Sequence, residues 1–402
     1  MRISEKKRLA LVLSGGGVKA AAFHLGVCLA LREKGFKFAG GSSSDVRLHY
    51  EDDRMTFKVY VGSSAGAVVT SLLASGFEIE SIIDAFEKGS GKSAISRLIR
   101  RDEMGAKLRP LGYRDIFHVN SSNLVSLVPS LLRRKSLVAG GVEAFLKNGF
   151  KINGLFTTKG LEKYIRDHVV QDNAFSALGV QLFIVATQLN HSRKVVFGDF
   201  KKTTGDKTIK YANYASISDA VAASASLPPV FAPYGIKNEK GKEIFFFDGE
   251  IRDTLSTHVA ADHGADLVVA SYSIQPYHYT EKMGSLHNYG IPVIVNQALY
   301  QVIQQKIEKH IEHKQQISAI LDAIDGYCKQ QGIAEEHREK LLDIVIKRVN
   351  HKPGVDYIYI HPSSQDYEMF FVDHFSLNPE ILARIVSIGF RSAIQVLRKL
   401  NL

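Results

Sequence analysis

FKVYVGSSAGAVVTSLLASGF, residues 57–77, runs from a stretch of strand formers through a turn bracketed by glycines into a stretch with helical spacing. FKVYV reads as a buried strand and SAGAVVTSLLASGF as the helix that follows it. The same order occurs once before: LALVLS (9–14) is a continuous apolar run, glycines follow, and VKAAAFHLGVCLALREKGF has helical spacing up to Gly35. Two consecutive strand–turn–helix units predict an α/β fold with a mostly parallel central sheet flanked by helices.

Working outward, the alternation continues to about residue 275. VQLFIVATQL (180–189), KVVFGDF (194–200), EIFFFD (243–248) and ADLVVASYS (265–273) read as strands, with SISDAVAASASL and the stretch through HVAADHG as helices. A core over 8–275 is expected, with a polar surface insertion at about 37–56 whose alternating pieces suggest a hairpin. Residues 280–352 read as a helical insertion or subdomain, in which Leu299, Ile303, Ile307 and Ile311 form an apolar stripe at spacing four. Residues 355–402 bring a strand, VDYIYIHP, and an amphipathic helix back to the core.

The composition is that of a globular chain with a sizeable core: of 402 residues, 45% are hydrophobic and 23% charged. Two cysteines far apart, Cys28 and Cys328, argue against a disulfide framework and for a reducing compartment. The apolar run after MRISEKKR is too short for a signal peptide or a membrane span, so a cytoplasmic protein is expected. The formal net charge is +10, and residues 88–135 hold eleven basic side chains against three acidic ones. Such a segment suits an anionic membrane surface or nucleic acid, or is a solvated face.

Three features bear on chemistry. SGGGVKA (14–20), between a strand and a helix, offers backbone N–H groups to an anion. Gly15, Gly17 and Ala20 also fit the loose dinucleotide pattern GxGxxA, but the second strand ends in GSSAG rather than in the acidic residue that would hold a ribose. Gly62, Ser63, Ser64, Ala65 and Gly66 spell GxSxG, which arises by chance in roughly one chain in eight of this length. Strand before and helix after supply the context of a nucleophile elbow, and the spacing selects Ser64 over Ser63, whose flanking positions are Val61 and Ala65. A serine needs a base and its intermediate an oxyanion hole. The Gly15–Gly17 turn follows a strand end as the elbow does, so the two meet at the carboxyl rim of the sheet. Asp248, followed by Gly249, ends its own strand and reaches the same rim.

In this order GGGVK (15–19), GSSAG (62–66) and DGE (248–250) resemble the motifs of the patatin-like phospholipase family, as do ASASLPPVFAP (223–233) and GLFTTKGLEKYI (154–165). The resemblance covers about residues 8–275, with a weaker echo at 355–400. It implies a three-layer patatin-like fold and a lipid acyl hydrolase, a serine esterase of phospholipase A type, acting on (lyso)phospholipids or related lipids without a cofactor. Ser64 would be the nucleophile and Asp248 the base, with Gly15, Gly16 and Gly17 as the oxyanion hole, and with Lys19, Gly62, Gly66 and Gly249 in support. Ser14, Ala20 and Glu250 depart from the usual pattern. Glu250 replaces a small residue, and its charge is expected to raise the pKa of Asp248. Expected partners are the lipid substrate, an anionic membrane through 88–135 and a protein at 297–350, with no nucleic acid and no metal.

Other readings are weighed beside this one. His24 lies on an apolar helix and reads as a core histidine, while His258 or His263 could complete a conventional triad. Glu308, His310, Glu312 and His313 alternate with lysines and read as a solvated face rather than a metal site. The alternative to an enzyme is a catalytically weak lipid-binding or scaffold protein on the same fold.

Overall fold

A computed structural model of the chain describes residues 3–50, 54–86, 108–120, 153–252, 254–349 and 351–402. The strands that matter for the site are β1 (Leu9–Leu13), β2 (Thr56–Ser63), β3 (Gln181–Gln188), β4 (Arg193–Phe197), β5 (Ile209–Ala212), β6 (Tyr234–Lys237), β7 (Glu243–Asp248), β8 (Leu267–Ser271) and β9 (Asp356–Ile360). Across the sheet the order is β9-β8-β1-β2-β3-β4-β5. From β9 to β3 every neighbouring pair is parallel, β4 turns back antiparallel to β3, and β7 pairs antiparallel with β3 and with β6. A mostly parallel sheet is therefore present, as two successive strand–turn–helix units predict.

The alternation of side chains along these buried strands makes three layers. Leu9, Leu11 and Leu13 of β1 face α1 (Gly17–Glu33), α2 (Ala65–Ala74) and α8 (Pro379–Lys399). Ala10 and Val12 face the other way, toward α5 (Thr257–Asp262) and the middle of the long helix α6 (Ile291–Gln330). On the first face, α4 (Ile217–Ser224) lies beside α2 and α3 (Lys159–His168) beside α4; α7 (Glu335–Arg348) folds back on α6. Among the described residues no helix is long and apolar enough to cross a membrane.

Every residue of α1 from Val18 to Leu31 is buried, and a helix enclosed on all sides needs small residues where its neighbours cross. Gly26 provides one such point: a Cβ there would lie 2.0 Å from the Val386 carbonyl oxygen of α8. Gly389 answers from α8, where a Cβ would lie 2.1 Å from the Phe23 carbonyl oxygen. The two backbones thus touch reciprocally, and α8 closes over the helix that begins at the glycine turn.

Two local expectations fail. The stretch expected as a hairpin contains the helix Ser43–Tyr50. Asp45 accepts from the Ser42 backbone N–H at 2.8 Å and its hydroxyl at 2.7 Å, a local bond set that favours a turn into helix over strand pairing. In α6, Ile303, Ile307 and Ile311 do face the sheet, but Leu299 is 56% exposed and Tyr300 is buried in its place. A stripe at spacing four drifts on a helix of about 100° per residue, so Leu299 lies about 120° round from Ile311 and Tyr300 only about 20°.

The reciprocal crossing gives a stability prediction. Gly389→Val forces α8 away from α1 and destabilises the protein by about 1–3 kcal/mol, read as a lower urea midpoint with an unchanged slope. An unaltered midpoint contradicts the backbone contact.

Candidate active site

Two strands meet end to end beside β3. β2 runs parallel to it and finishes with Ser63 opposite Val185, while β7 runs antiparallel and finishes with Asp248 opposite Ala186. Adjacent residues of one strand therefore receive the carboxyl ends of two others. Ser64, one step past β2, and Asp248 are brought together, with the Ser64 hydroxyl near enough to the Asp248 carboxylate to lower its pKa.

The turn at Ser64 is strained, with φ 53° and ψ −120°, a region that costs a non-glycine residue about 1–3 kcal/mol. Close backbone approach on both sides holds it. A Cβ at Gly62 would lie 2.3 Å from Thr70 Oγ1, and one at Gly66 would lie 2.1 Å from the Leu13 carbonyl oxygen. The Gly66 N–H donates to Ser14 O at 3.0 Å, joining the elbow to the end of β1. Ser224, at the end of α4, clamps the serine itself: its hydroxyl accepts from Ser64 N at 2.8 Å and donates to Val185 O at 2.6 Å. Ser63 Oγ is buried without a hydrogen-bond partner and faces Gly249 rather than the carboxylate.

Asp248 is 1% exposed. Its backbone N–H donates to Ser226 O, Thr187 Oγ1 donates to its carbonyl, and Oδ1 accepts from Glu250 N at 2.9 Å. Burial raises its pKa to about 6, against the lowering effect of the nearby Ser64 hydroxyl and of the Glu250 N–H. The cause is thus not the one expected from sequence. Glu250 acts on Asp248 through its backbone N–H, in the lowering direction, and its carboxyl turns to Gly15, whose N–H donates to Oε1 at 2.7 Å.

Gly16 (φ 130°) and Gly17 (φ 74°) carry the chain from β1 into α1 in left-handed conformations, and a Cβ at Gly17 would lie 2.5 Å from His374 O. Lys19 lies in the first turn of α1, just after the glycines. Its ammonium is 1% exposed and donates to Tyr300 Oη at 3.1 Å and Met369 O at 2.6 Å, and the Tyr300 hydroxyl sits 2.6 Å from His374 Nε2. Burial lowers Lys19 to about 7 and His374 to about 3. Neutral His374 accepts from Tyr300, and Tyr300 accepts from Lys19. Tyr300, His374 and Ser224 escaped the reading of single motifs, although Ser224 lies inside ASASLPPVFAP.

A narrow apolar cleft opens beside Ser64 and is walled by Val68, Leu111, Ile116, Leu161, Phe231 and Phe375. The histidines lie elsewhere. His24 donates Nε2–H to Ser14 O and accepts from Ser271 Oγ at Nδ1, and burial holds it neutral by lowering its pKa to about 4. His258 Nε2 faces Lys194 Nζ and His263 Nδ1 faces Val259 O. His310 bonds Thr257 Oγ1. Among the described residues no cluster of three His, Cys, Asp or Glu side chains is disposed to hold a metal. Most of the basic segment, 88–107 and 121–135, lies outside the described residues.

The sequence model of the patatin-like phospholipases matches residues 11–261, a span that includes the elbow, the glycine turn and Asp248. Among solved structures, VipD from Legionella pneumophila is similar at 17% identity and a TM-score of 0.37, over 98% of this chain and 67% of that one. No curated protein matches the sequence. With more than half of its length matched, the chain belongs to the patatin-like phospholipase family.

Proposed function

We propose that this lipid hydrolase cleaves carboxylic esters of (lyso)phospholipids or related lipids through Ser64 and Asp248 as a catalytic dyad. One observation carries the reading: a serine on a strained turn, beside a buried carboxylate, opens onto an apolar cleft. Asp248 takes the hydroxyl proton as Ser64 Oγ attacks the ester carbonyl, and the proton passes to the leaving alcohol. Water then attacks the acyl-enzyme, with Asp248 again accepting a proton and Ser64 recovering one, and the fatty acid departs. The negative oxygen of each tetrahedral intermediate is met by N–H groups of the Gly15, Gly16 and Gly17 turn. The cleft suits an acyl chain because its walls offer dispersion contacts and almost no polar group.

Membrane attraction through 88–135 and a protein contact along 297–350 belong to the same proposal. Exposed Leu299 and Val302 on α6 support a contact there.

Three measurements test the reading. A fluorophosphonate labels Ser64, and Ser64→Ala and Asp248→Asn each lower acyl release from phospholipid vesicles by about 10⁴-fold or more. Release is faster from anionic than from zwitterionic vesicles and the difference shrinks with salt. Binding of vesicles without labelling or release would favour the lipid-binding scaffold.

The pH dependence follows from the base. Asp248 must be ionised to accept the proton, so kcat/KM holds above about pH 6 and falls about tenfold per unit below it. An inflection near pH 4, where an ordinary carboxylate titrates, contradicts the role of burial.

With soluble esters, each methylene that enters the cleft adds about 0.8 kcal/mol, or roughly four-fold in kcat/KM. Leu161→Trp ends that rise at a shorter chain. A flat dependence on chain length in the unaltered protein rejects the cleft as the acyl site.

A further inference from the structure

The proposed mechanism places the substrate's oxygen within hydrogen-bond reach of Gly15 N, and Glu250 Oε1 already stands 2.7 Å from that nitrogen. An oxyanion is held at about 2.7–3.1 Å from its donors, so the Glu250 oxygen occupies the place the reacting oxygen must take. The rest of the side chain fills the approach. A Cβ built on Gly15 would lie 2.5 Å from Glu250 Cγ and 2.7 Å from Ser64 Cβ, so Glu250 is wedged between the glycine turn and the serine. The residue is 6% exposed and sits on the short 3-10 turn Gly249–Ile251, fixed by its own N–H on Asp248 Oδ1.

From this geometry we infer that Glu250 is an internal ligand of the oxyanion hole, a carboxyl group that stands where a fatty acid product would stand and that every ester must displace before Ser64 can attack. The inference rests on the lipid-hydrolase reading and concerns the regulation of that same site. Displacement involves no covalent step: the Gly15 N–H exchanges the Glu250 oxygen for the substrate oxygen, and the exchange reverses when product leaves. Because the same contact is lost whatever the ester, Glu250 lowers kcat/KM by one common factor for short and long acyl chains, unlike the cleft, whose effect grows with the chain. A hydrogen bond of this kind corresponds to about 10- to 100-fold.

The test compares the full chain with Glu250→Ala and Glu250→Gln on a short and a long p-nitrophenyl ester, with unfolding midpoints measured in parallel. Glu250→Ala raises kcat/KM about 10- to 100-fold by the same factor on both esters, and inhibition by free fatty acid tightens because the hole is vacated. Glu250→Gln keeps the side chain's volume and gives a smaller rise; it carries the comparison should the alanine variant not fold. Unchanged or lower kcat/KM in folded variants, with Ser64 labelled and turning over in the unaltered protein, overturns the role of Glu250 alone. Failure of fluorophosphonate labelling and of acyl release in all three proteins overturns the hydrolase reading itself.

Discussion

Hydrogen-bond pairing along one side of β3 positions the whole site. A strand can give each stretch of its flank to only one neighbour, and here the flank is divided between β2 and β7, which arrive from opposite directions. Their carboxyl ends abut at Val185 and Ala186, and whatever follows β2 must touch whatever ends β7. The strained turn at Ser64, the clamp from Ser224 and the burial of Asp248 all depend on that junction. Loop flexibility has little part in it, because both groups are carried by paired backbone.

That junction was partly legible in the sequence. GxSxG between a strand and a helix identifies the serine, and a carboxylate at the end of EIFFFD reaches the same rim of a parallel sheet. Layering was legible for the same reason, since buried strands and enclosed helices leave long apolar runs. Harder to read were features that depend on side-chain direction. The composition of DGE says that a carboxyl is near Asp248, but not that it turns through the turn Gly249–Ile251 toward Gly15 N. Spacing along α6 suggested Leu299 as a contact because integer steps of four hide the drift of a helix with 3.6 residues per turn. The alternation in VRLHY suggested strand, and the local bonds of Asp45 outweighed it.

Electrostatics at the site follows from which polar atoms are buried together. Asp248 is pushed up by burial yet stays beside the Ser64 hydroxyl, the position a general base requires. Lys19 is pushed down by the same cause, and its partners Tyr300 and Met369 come from α6 and the turn before α8. Removing a buried ammonium's partners is costly, since the group is left without compensation in a poorly solvating place. The glycine turn is therefore tied to regions far along the chain by polar contacts as well as by packing.

The reciprocal contact of Gly26 and Gly389 also governs the order in which the protein can mature. The helix that opens at the glycine turn is synthesised long before the helix that covers it. β1 meanwhile lies between β2 and β8, of which β8 emerges only after most of the core. The apolar surface of β1 and α1 thus stays uncovered until β8 and α8 have been made, a topology of long sequence separations that folds slowly and exposes the nascent chain to aggregation.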